Sequence, residues 1–145
     1  MKKSTFWLLS LTWGLPMTLI GALAAAVLMI CGHKPKRHGY CYYFEVGYGW
    51  GGVELGGFFI VQHRAMDYLK SHEFGHGLQN CYYGFLMPFI VCIPSAVRYW
   101  YRRLRSYLGK PPTTGYYDIW FEAQASKWGV LKIQELRAVE TDGGK

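Results

Sequence analysis

Acidic side chains are scarce in this sequence and are absent from two long blocks. Only 9 of the 145 residues are Asp or Glu, against 16 Lys and Arg, and no acid occurs from Met1 to Phe44 or from Phe74 to Tyr117. Charged residues make up 17% of the chain and hydrophobic residues 51%, whereas an average soluble domain carries about 25% charged residues. So much apolar content with a net charge of only +7 excludes an intrinsically disordered chain. The low charge also does not suit a freely soluble enzyme.

Paired cysteines and periodic repeats are lacking as well. The four cysteines, Cys31, Cys41, Cys81 and Cys92, show no Cys-x-x-Cys spacing, which argues against a zinc knuckle. The positions of the four cysteines do not indicate a disulfide framework, and this favours a reducing compartment. The 18 Gly and 6 Pro follow no period, which excludes a collagen-like array. No P-loop or dinucleotide-binding fingerprint is present either.

The first acid-free block contains an uncharged stretch from Ser4 to Gly32, with basic residues on both sides. A helix needs about 20 apolar residues to cross a bilayer core, and this stretch is longer. We therefore expect a transmembrane helix within residues 1–32. The alternative is a cleaved signal peptide ending at the small residues Ala24, Ala25 and Ala26, although the apolar run continues beyond them.

The second acid-free block contains an apolar stretch from Cys81 to Val97. The stretch is at the short limit for spanning a bilayer, and its two prolines, Pro88 and Pro94, bend the helix. We expect a kinked or re-entrant apolar segment over residues 81–97. A buried segment in a globular core is the alternative.

Basic residues interleaved with aromatic residues follow this segment. They are Arg98, Arg102, Arg103, Arg105 and Lys110, among Tyr99, Trp100, Tyr101 and Tyr107. Such a mixture can bind RNA, but next to an apolar segment it more often marks the cytoplasmic membrane surface. We therefore expect a lipid bilayer and no nucleic acid among the partners, and an integral membrane protein.

The remaining segments predict a mainly α-helical chain with a small β-hairpin or sheet. Residues 40–62 are rich in aromatics, Val and Gly, which indicates short strands around a glycine-rich turn. Residues 111–115 are a predicted helix breaker, and Tyr116 to Val139 predict one or two helices interrupted near Gly129. The expected organisation is a transmembrane helix in residues 1–32 and a small metallopeptidase-like domain in residues 33–145 that includes segment 81–97.

The motif that carries chemistry is His72-Glu73-x-x-His76. On a helix, residues four apart share a face, so both imidazoles can reach one metal ion. Glu73 lies beside them and can take a proton from a metal-bound water, whose pKa zinc lowers to about 7. Gly75 lies within the motif and costs about 1 kcal/mol of helix stability relative to Ala, which is understandable if a backbone or a substrate approaches closely.

A catalytic zinc ion takes three protein ligands, and no histidine follows His76. The third ligand is therefore expected to be a carboxylate. Glu122 is the preferred candidate, because it lies on an otherwise apolar helix, in a polar stripe with Asp118 and Ser126. Asp118 is the alternative ligand, and a solvated helix face is the non-functional explanation.

With Glu122-x-x-Ala125 downstream, the His72 motif resembles the gluzincin zinc metallopeptidases, and most closely the membrane-embedded group of CAAX-processing and heat-shock proteases. The resemblance implies zinc held by His72, His76 and Glu122, with Glu73 as the general base. That family usually has Asp where this chain has Ser126. Ser126 or Asp118 is then expected to make a weaker contact behind the metal ligands.

Topology limits where such a site can lie. If segments 4–32 and 81–97 both crossed a membrane fully, His72 and Glu122 would lie on opposite sides. We therefore expect a re-entrant second segment and an active site at the cytoplasmic interface. The expected function is a membrane-bound zinc metallopeptidase acting on a peptide or protein substrate. The alternative is a catalytically idle zinc-binding membrane protein that serves as an interaction or regulatory factor.

Overall fold

The computed structural model describes residues 1–110, 115 and 118–142, and this part of the chain is mainly helical with a small mixed sheet. The helices are α1 (Lys3–Leu11), α2 (Leu15–Ile30), α3 (Asp67–Tyr83), α4 (Ile93–Tyr107) and α5 (Trp120–Asp142). The strands are β1 (Lys36–His38), β2 (Cys41–Glu45), β3 (Gly52–Leu55) and β4 (Phe58–Val61). The predicted fold class, mainly α with a small sheet, is confirmed. The predicted breaker lies outside the described residues except for its last position.

The single helix expected over residues 4–32 is instead two helices, α1 and α2, which are bent by 95° relative to each other. The break falls at Gly14, whose carbonyl accepts a hydrogen bond from Asn80 Nδ2 of α3 at 3.2 Å. A Cβ on Gly14 would lie 2.4 Å from that nitrogen, so only glycine allows this approach. Pro16, at the start of α2, lacks the backbone donor that a continuous helix would use.

The sheet has strand order β1-β2-β4-β3, with β2 and β4 parallel and the other two pairs antiparallel. Strand β3 is therefore at one edge. Phe59 and Val61 of β4 are fully buried and join Phe6 of α1 and Phe74 of α3 in the main hydrophobic core. Helix α1 thus contributes a core residue, and the division of the chain at residue 32 stays a prediction.

Helices α3 and α5 pack against each other more extensively than any other pair of elements. Two glycines allow the backbones to approach: a Cβ on Gly75 would lie 1.9 Å from the carbonyl oxygen of Ala125, and a Cβ on Gly129 would lie 1.7 Å from that of Ser71. Helix α5 runs unbroken through Gly129. The predicted interruption there is absent because this glycine serves close packing.

Segment 81–97 changes direction between α3 and α4. The segment passes through a 3₁₀ turn (Gly84–Leu86) and a π-helical turn (Pro88–Cys92), and the helices on the two sides are bent by 114°. Gly84 has a φ of 54°, and a Cβ there would lie 2.2 Å from the indole nitrogen of Trp13. The bend is therefore fixed by close packing as well as by the two prolines.

Among the described residues, no single helix has both the length and the hydropathy needed to cross a membrane. Two bent pairs meet the requirement together, by length and composition only: α1 with α2, and α3 with α4 through their connector. Integral membrane insertion stays a prediction.

The α3–α5 contact yields the first testable prediction. Gly129→Ala should lower the free energy of unfolding by about 1–3 kcal/mol, because the added methyl group overpacks a backbone contact. Urea denaturation followed by circular dichroism measures the change. Gln134→Ala, at an exposed position of the same helix, is the matched control and should stay within about 0.5 kcal/mol of the parent chain. A Gly129→Ala chain as stable as this control would contradict the packing account.

Candidate metal centre

Three side chains from two helices converge at one point. His72 and His76 lie one turn apart on α3, and Glu122 lies in the first turn of α5. His72 Nε2 and His76 Nε2 are 3.1 Å apart, and Glu122 Oε2 is 3.1 Å from the first nitrogen and 3.2 Å from the second. All three residues are buried. This group could hold a metal ion.

The donor set fits zinc in both chemistry and size. Zinc binds imidazole nitrogen and carboxylate oxygen at about 2.0–2.2 Å, usually with tetrahedral geometry. Tetrahedral donors at that distance lie about 3.3 Å from one another, and the three distances here are 3.1 to 3.2 Å. Little rearrangement is therefore needed for these residues to bind such an ion.

Each of the three side chains is oriented by a contact on its far side. His72 Nδ1 is 2.8 Å from Ser126 Oγ, and His76 Nδ1 is 2.8 Å from Gln79 Oε1. Ser95 Oγ donates to Glu122 Oε1 at 2.5 Å. Because an amide oxygen can only accept, Nδ1 of His76 carries the proton, and its Nε2 is directed at the shared point. Such outer contacts fix ring orientation in metal sites and raise the basicity of the ligands.

Gln79 also connects the two helices behind the site. Its Nε2 donates to the carbonyl of Phe121 and to Gln124 Oε1, both at 2.8 Å. Gln124 Oε1 accepts a further hydrogen bond from Tyr83 at 3.0 Å. Sequence reasoning missed Gln79 and Ser95. The spacing of three residues between His76 and Gln79 is a usable signal on a helix, whereas nothing in the sequence marks Ser95.

The structure separates the two candidate third ligands. Glu122 is fully buried beside the imidazoles. Asp118 is exposed, and its carboxylate accepts the backbone N–H of Gly115. Asp118 therefore caps a turn away from the histidines, and Ser126 makes the expected contact with His72.

Burial and charge act against each other in this cluster. Burial raises the pKa of the Glu122 carboxyl, but hydrogen bonds from His72 and His76 outweigh it and hold the pKa well below the ordinary value. Burial lowers the pKa of His72, and the Glu122 hydrogen bond offsets this only in part. For His76, burial is outweighed by Glu122 and Glu73, so its pKa is raised. The carboxylate charge of Glu122 is thus stabilised by the two imidazoles.

Glu73 lies beside this cluster and against the edge strand. Burial raises its pKa to about 7, with His76 opposing the shift and Glu122 adding to it. A Cβ on Gly52 of β3 would lie 2.6 Å from Glu73 Oε1. Because Gly52 has no Cβ, the Glu73 carboxyl can pack directly against strand β3.

A cavity of about 610 Å³ adjoins His72, Glu73, His76 and Glu122. Its remaining lining comes from α2, β3 and the loop before it, the first turn of α3, the connector between α3 and α4, and α4, and it is mostly apolar. The apolar lining residues include Met17, Val53, Leu55, Leu69, Met87, Val91, Ala96 and Trp100. A volume of this size accommodates several side chains of an extended peptide.

Glu54 of β3 is a further carboxyl beside this cavity that sequence reasoning missed. The residue is 6% exposed, and neither carboxyl oxygen has a hydrogen-bond partner among the described residues. Burial first, and then the charge of Glu73, raises its pKa well above the ordinary value. The backbone N–H of Gly56 acts in the opposite direction and lowers the pKa of Glu54, although it does not form a full hydrogen bond with the carboxyl group. Burial without a hydrogen-bond partner therefore favours the neutral form of Glu54.

The raised pKa of Glu54 gives the second prediction. In the unfolded chain this carboxyl ionises above pH about 4.3, whereas its pKa in the folded chain is well above the ordinary value. Folding therefore takes up a proton, and Glu54 lowers stability increasingly as pH rises from 5 to 7. Glu54→Gln cannot ionise, so its stability relative to the parent chain should rise across that interval, by at most about 1.4 kcal/mol per pH unit. Urea denaturation at a series of pH values measures this difference.

Glu135→Gln is the matched control for the pH series. Hydrogen bonding to Lys132 lowers the pKa of Glu135, so this carboxyl is ionised in both the folded and the unfolded chain from pH 5 to 7. Its replacement should shift stability by an amount that is constant over that interval. A Glu54→Gln difference that is equally flat would show that Glu54 is ionised in the folded chain.

Comparison of this chain with known proteins did not identify a relative. The scan of protein-family models found no match, and the searches of curated proteins and of solved structures found no significant match. The resemblance to the gluzincin metallopeptidases therefore rests on His72, Glu73, His76 and Glu122 alone and stays a prediction.

Proposed function

We propose that this chain is a membrane-bound, zinc-dependent metallopeptidase that hydrolyses peptide bonds, with Glu73 as the general base. The observation that carries the proposal is the convergence of His72, His76 and Glu122 beside a cavity that also contains Glu73. Two imidazoles and one carboxylate beside a cavity match the three protein ligands of catalytic zinc sites, whereas structural zinc sites have four protein ligands.

In this proposal His72, His76 and Glu122 hold the ion. A bound zinc ion supplies a Lewis acid that polarises a substrate carbonyl and makes water acidic near pH 7. Glu73 takes the proton from the attacking water and delivers it to the leaving nitrogen. Ser126, Gln79 and Ser95 keep the three ligands oriented while this transfer proceeds.

The edge strand supports an extended substrate. Residues 51–55 line the cavity, and β3 pairs only with β4 among the described strands. The free edge of β3 offers backbone donors and acceptors to a peptide in an extended conformation. Gly52 lets the Glu73 carboxyl pack directly against that strand, so the base lies next to a peptide bound along it.

Membrane attachment and a site at the cytoplasmic interface are part of the proposal. Helix α2 supports attachment, because six of its large apolar residues are 51–86% exposed. They are Leu19, Ile20, Leu23, Val27, Met29 and Ile30. A monomeric soluble protein rarely exposes so continuous an apolar surface.

The general base is tested by Glu73→Gln. This change removes the proton acceptor but keeps the shape of the side chain, so peptide hydrolysis should fall by about 10²- to 10⁴-fold. Bound zinc should stay at one ion per chain, because Glu73 is not a ligand. Cleavage of a fluorogenic peptide library and elemental analysis of the same preparations measure the two quantities.

The possible outcomes distinguish the proposal from its alternative. Zinc at one ion per chain, with no hydrolysis in the parent protein, would favour the catalytically idle zinc-binding factor. Hydrolysis that survives Glu73→Gln would refute the mechanism. Protein without stoichiometric zinc would refute both functions.

The third ligand is tested by Glu122→Ala. Loss of a direct ligand should weaken zinc binding by more than about 100-fold, since the loss of outer contacts alone costs about 10- to 100-fold. Competition with a chromophoric chelator measures the affinity. Asp118→Ala is the matched control, because that carboxylate is exposed and away from the histidines. Equal affinities for the two variants would exclude Glu122 as the third ligand.

A further inference from the structure

Helix α4 is strongly amphipathic and carries its apolar side chains on the outside. At 100° per residue, six large apolar residues of α4, together with Leu108 at its C-cap, fall within an arc of about 120°. These seven, all 53–88% exposed, are Ile93, Val97, Trp100, Tyr101, Leu104, Tyr107 and Leu108. None of the α4 residues is buried. A contiguous apolar face of this kind marks an interaction surface.

Three of the four arginines of α4 occupy the neighbouring sector of the helix: Arg98, Arg102 and Arg105 fall within about 60° of one another, next to the apolar arc. Arg103 lies on the other side of the arc, where its Nη1 donates to the Tyr99 hydroxyl at 3.2 Å. Arg105 contacts Tyr101 at the boundary: its Nη1 donates to the tyrosine hydroxyl at 3.2 Å, and its guanidinium lies 5.9 Å from the ring centroid. No acid lies anywhere on α4. The helix therefore presents an apolar face beside a purely cationic one.

The apolar arc and the adjacent arginines together indicate which kind of partner can cover this face of α4. A nucleic acid would engage the arginines and stack on aromatic rings, but it would leave Ile93, Val97 and Leu104 in water. A protein groove would cover the aliphatic residues, but it would need matching acids for the arginines. An anionic lipid surface satisfies both sectors, since acyl chains cover the apolar arc and headgroups meet the arginines.

A third sector of α4 faces the candidate active site. Ser95, Ala96, Tyr99 and Trp100 line the cavity, and Ser95 hydrogen bonds to Glu122. Trp100 belongs both to this lining and to the exposed arc. The cavity wall and the apolar face are therefore two sides of one helix.

We propose that α4 is an interfacial helix that docks on anionic lipid through its apolar arc and its arginines, and so holds the cavity wall at the membrane surface. The docking itself does not depend on the proposed peptidase activity, because none of the residues in the apolar arc or the arginine sector is a metal ligand or the general base. If the peptidase activity exists, docking restricts it to peptide segments that lie at the lipid surface.

The test uses the full chain with an environment-sensitive fluorescent amino acid in place of Leu104, at the centre of the arc. Ser106, on the polar side of the same helix, is the matched control position. The probes are phosphatidylcholine vesicles with and without phosphatidylserine. We expect the emission from position 104 to shift to shorter wavelength on the anionic vesicles, while the emission from position 106 stays unchanged.

Flotation of the same chain on these vesicles measures the arginine contribution. Arg102→Gln and Arg105→Gln should each weaken binding to anionic vesicles about fivefold at low salt and should leave binding to neutral vesicles unchanged. A chain that floats without any spectral change at position 104 would overturn the proposal, because its membrane contact would then lie elsewhere. A shift at position 104 caused by RNA, or by self-association without lipid, would also overturn it.

Discussion

The close approach of α3 and α5 is the constraint on which the candidate metal centre depends. His72 and His76 come from one helix and Glu122 from the other, so their donor atoms reach 3.1 to 3.2 Å only if the two backbones pack without intervening side chains. Gly75 and Gly129 provide that contact. The two glycines cost helix stability locally, and the tertiary contact they allow brings the three donors together. The geometry of the candidate metal ligands therefore depends on Gly75 and Gly129, two residues that have no side chain of their own.

The same contact explains why the polar network behind the ligands is continuous. Gln79 reaches from α3 to the backbone and side chains of α5, while Ser126 reaches back from α5 to His72. A buried amide is stable only when its donors and acceptor are satisfied, and Gln79 is satisfied on both sides. The network therefore fixes the rotation of one helix relative to the other, and with it the direction of the imidazoles.

The sequence predicted the parts of this site that follow from spacing along one helix. The four-residue interval places His72 and His76 on one face, and the isolation of Glu122 on an apolar helix marks it as a carboxylate in need of a partner. The remaining parts depend on contacts between distant segments. Ser95 meets Glu122 only because segment 81–97 bends back, and Gly129 has the local signature of a helix interruption although it serves packing. Gly14 breaks the N-terminal helix because Asn80 occupies the adjoining space, which no local pattern reveals.

Charge is separated across α4 between an acidic cavity on one side and arginines on the other. The three buried carboxyl groups of the described residues, Glu54, Glu73 and Glu122, all line the same cavity, and no Lys or Arg of the described chain lines it with them. Their environments differ: two imidazoles stabilise the charge of Glu122, burial raises the pKa of Glu73 to about 7, and burial raises the pKa of Glu54 well above its ordinary value. Because burying unpaired charge is costly, such a cavity favours a cation and disfavours anionic groups of a substrate. The arginines, in contrast, are gathered on the outside of α4, where they attract anionic surfaces. One helix thus separates a cavity that attracts cations from an exterior that attracts anions.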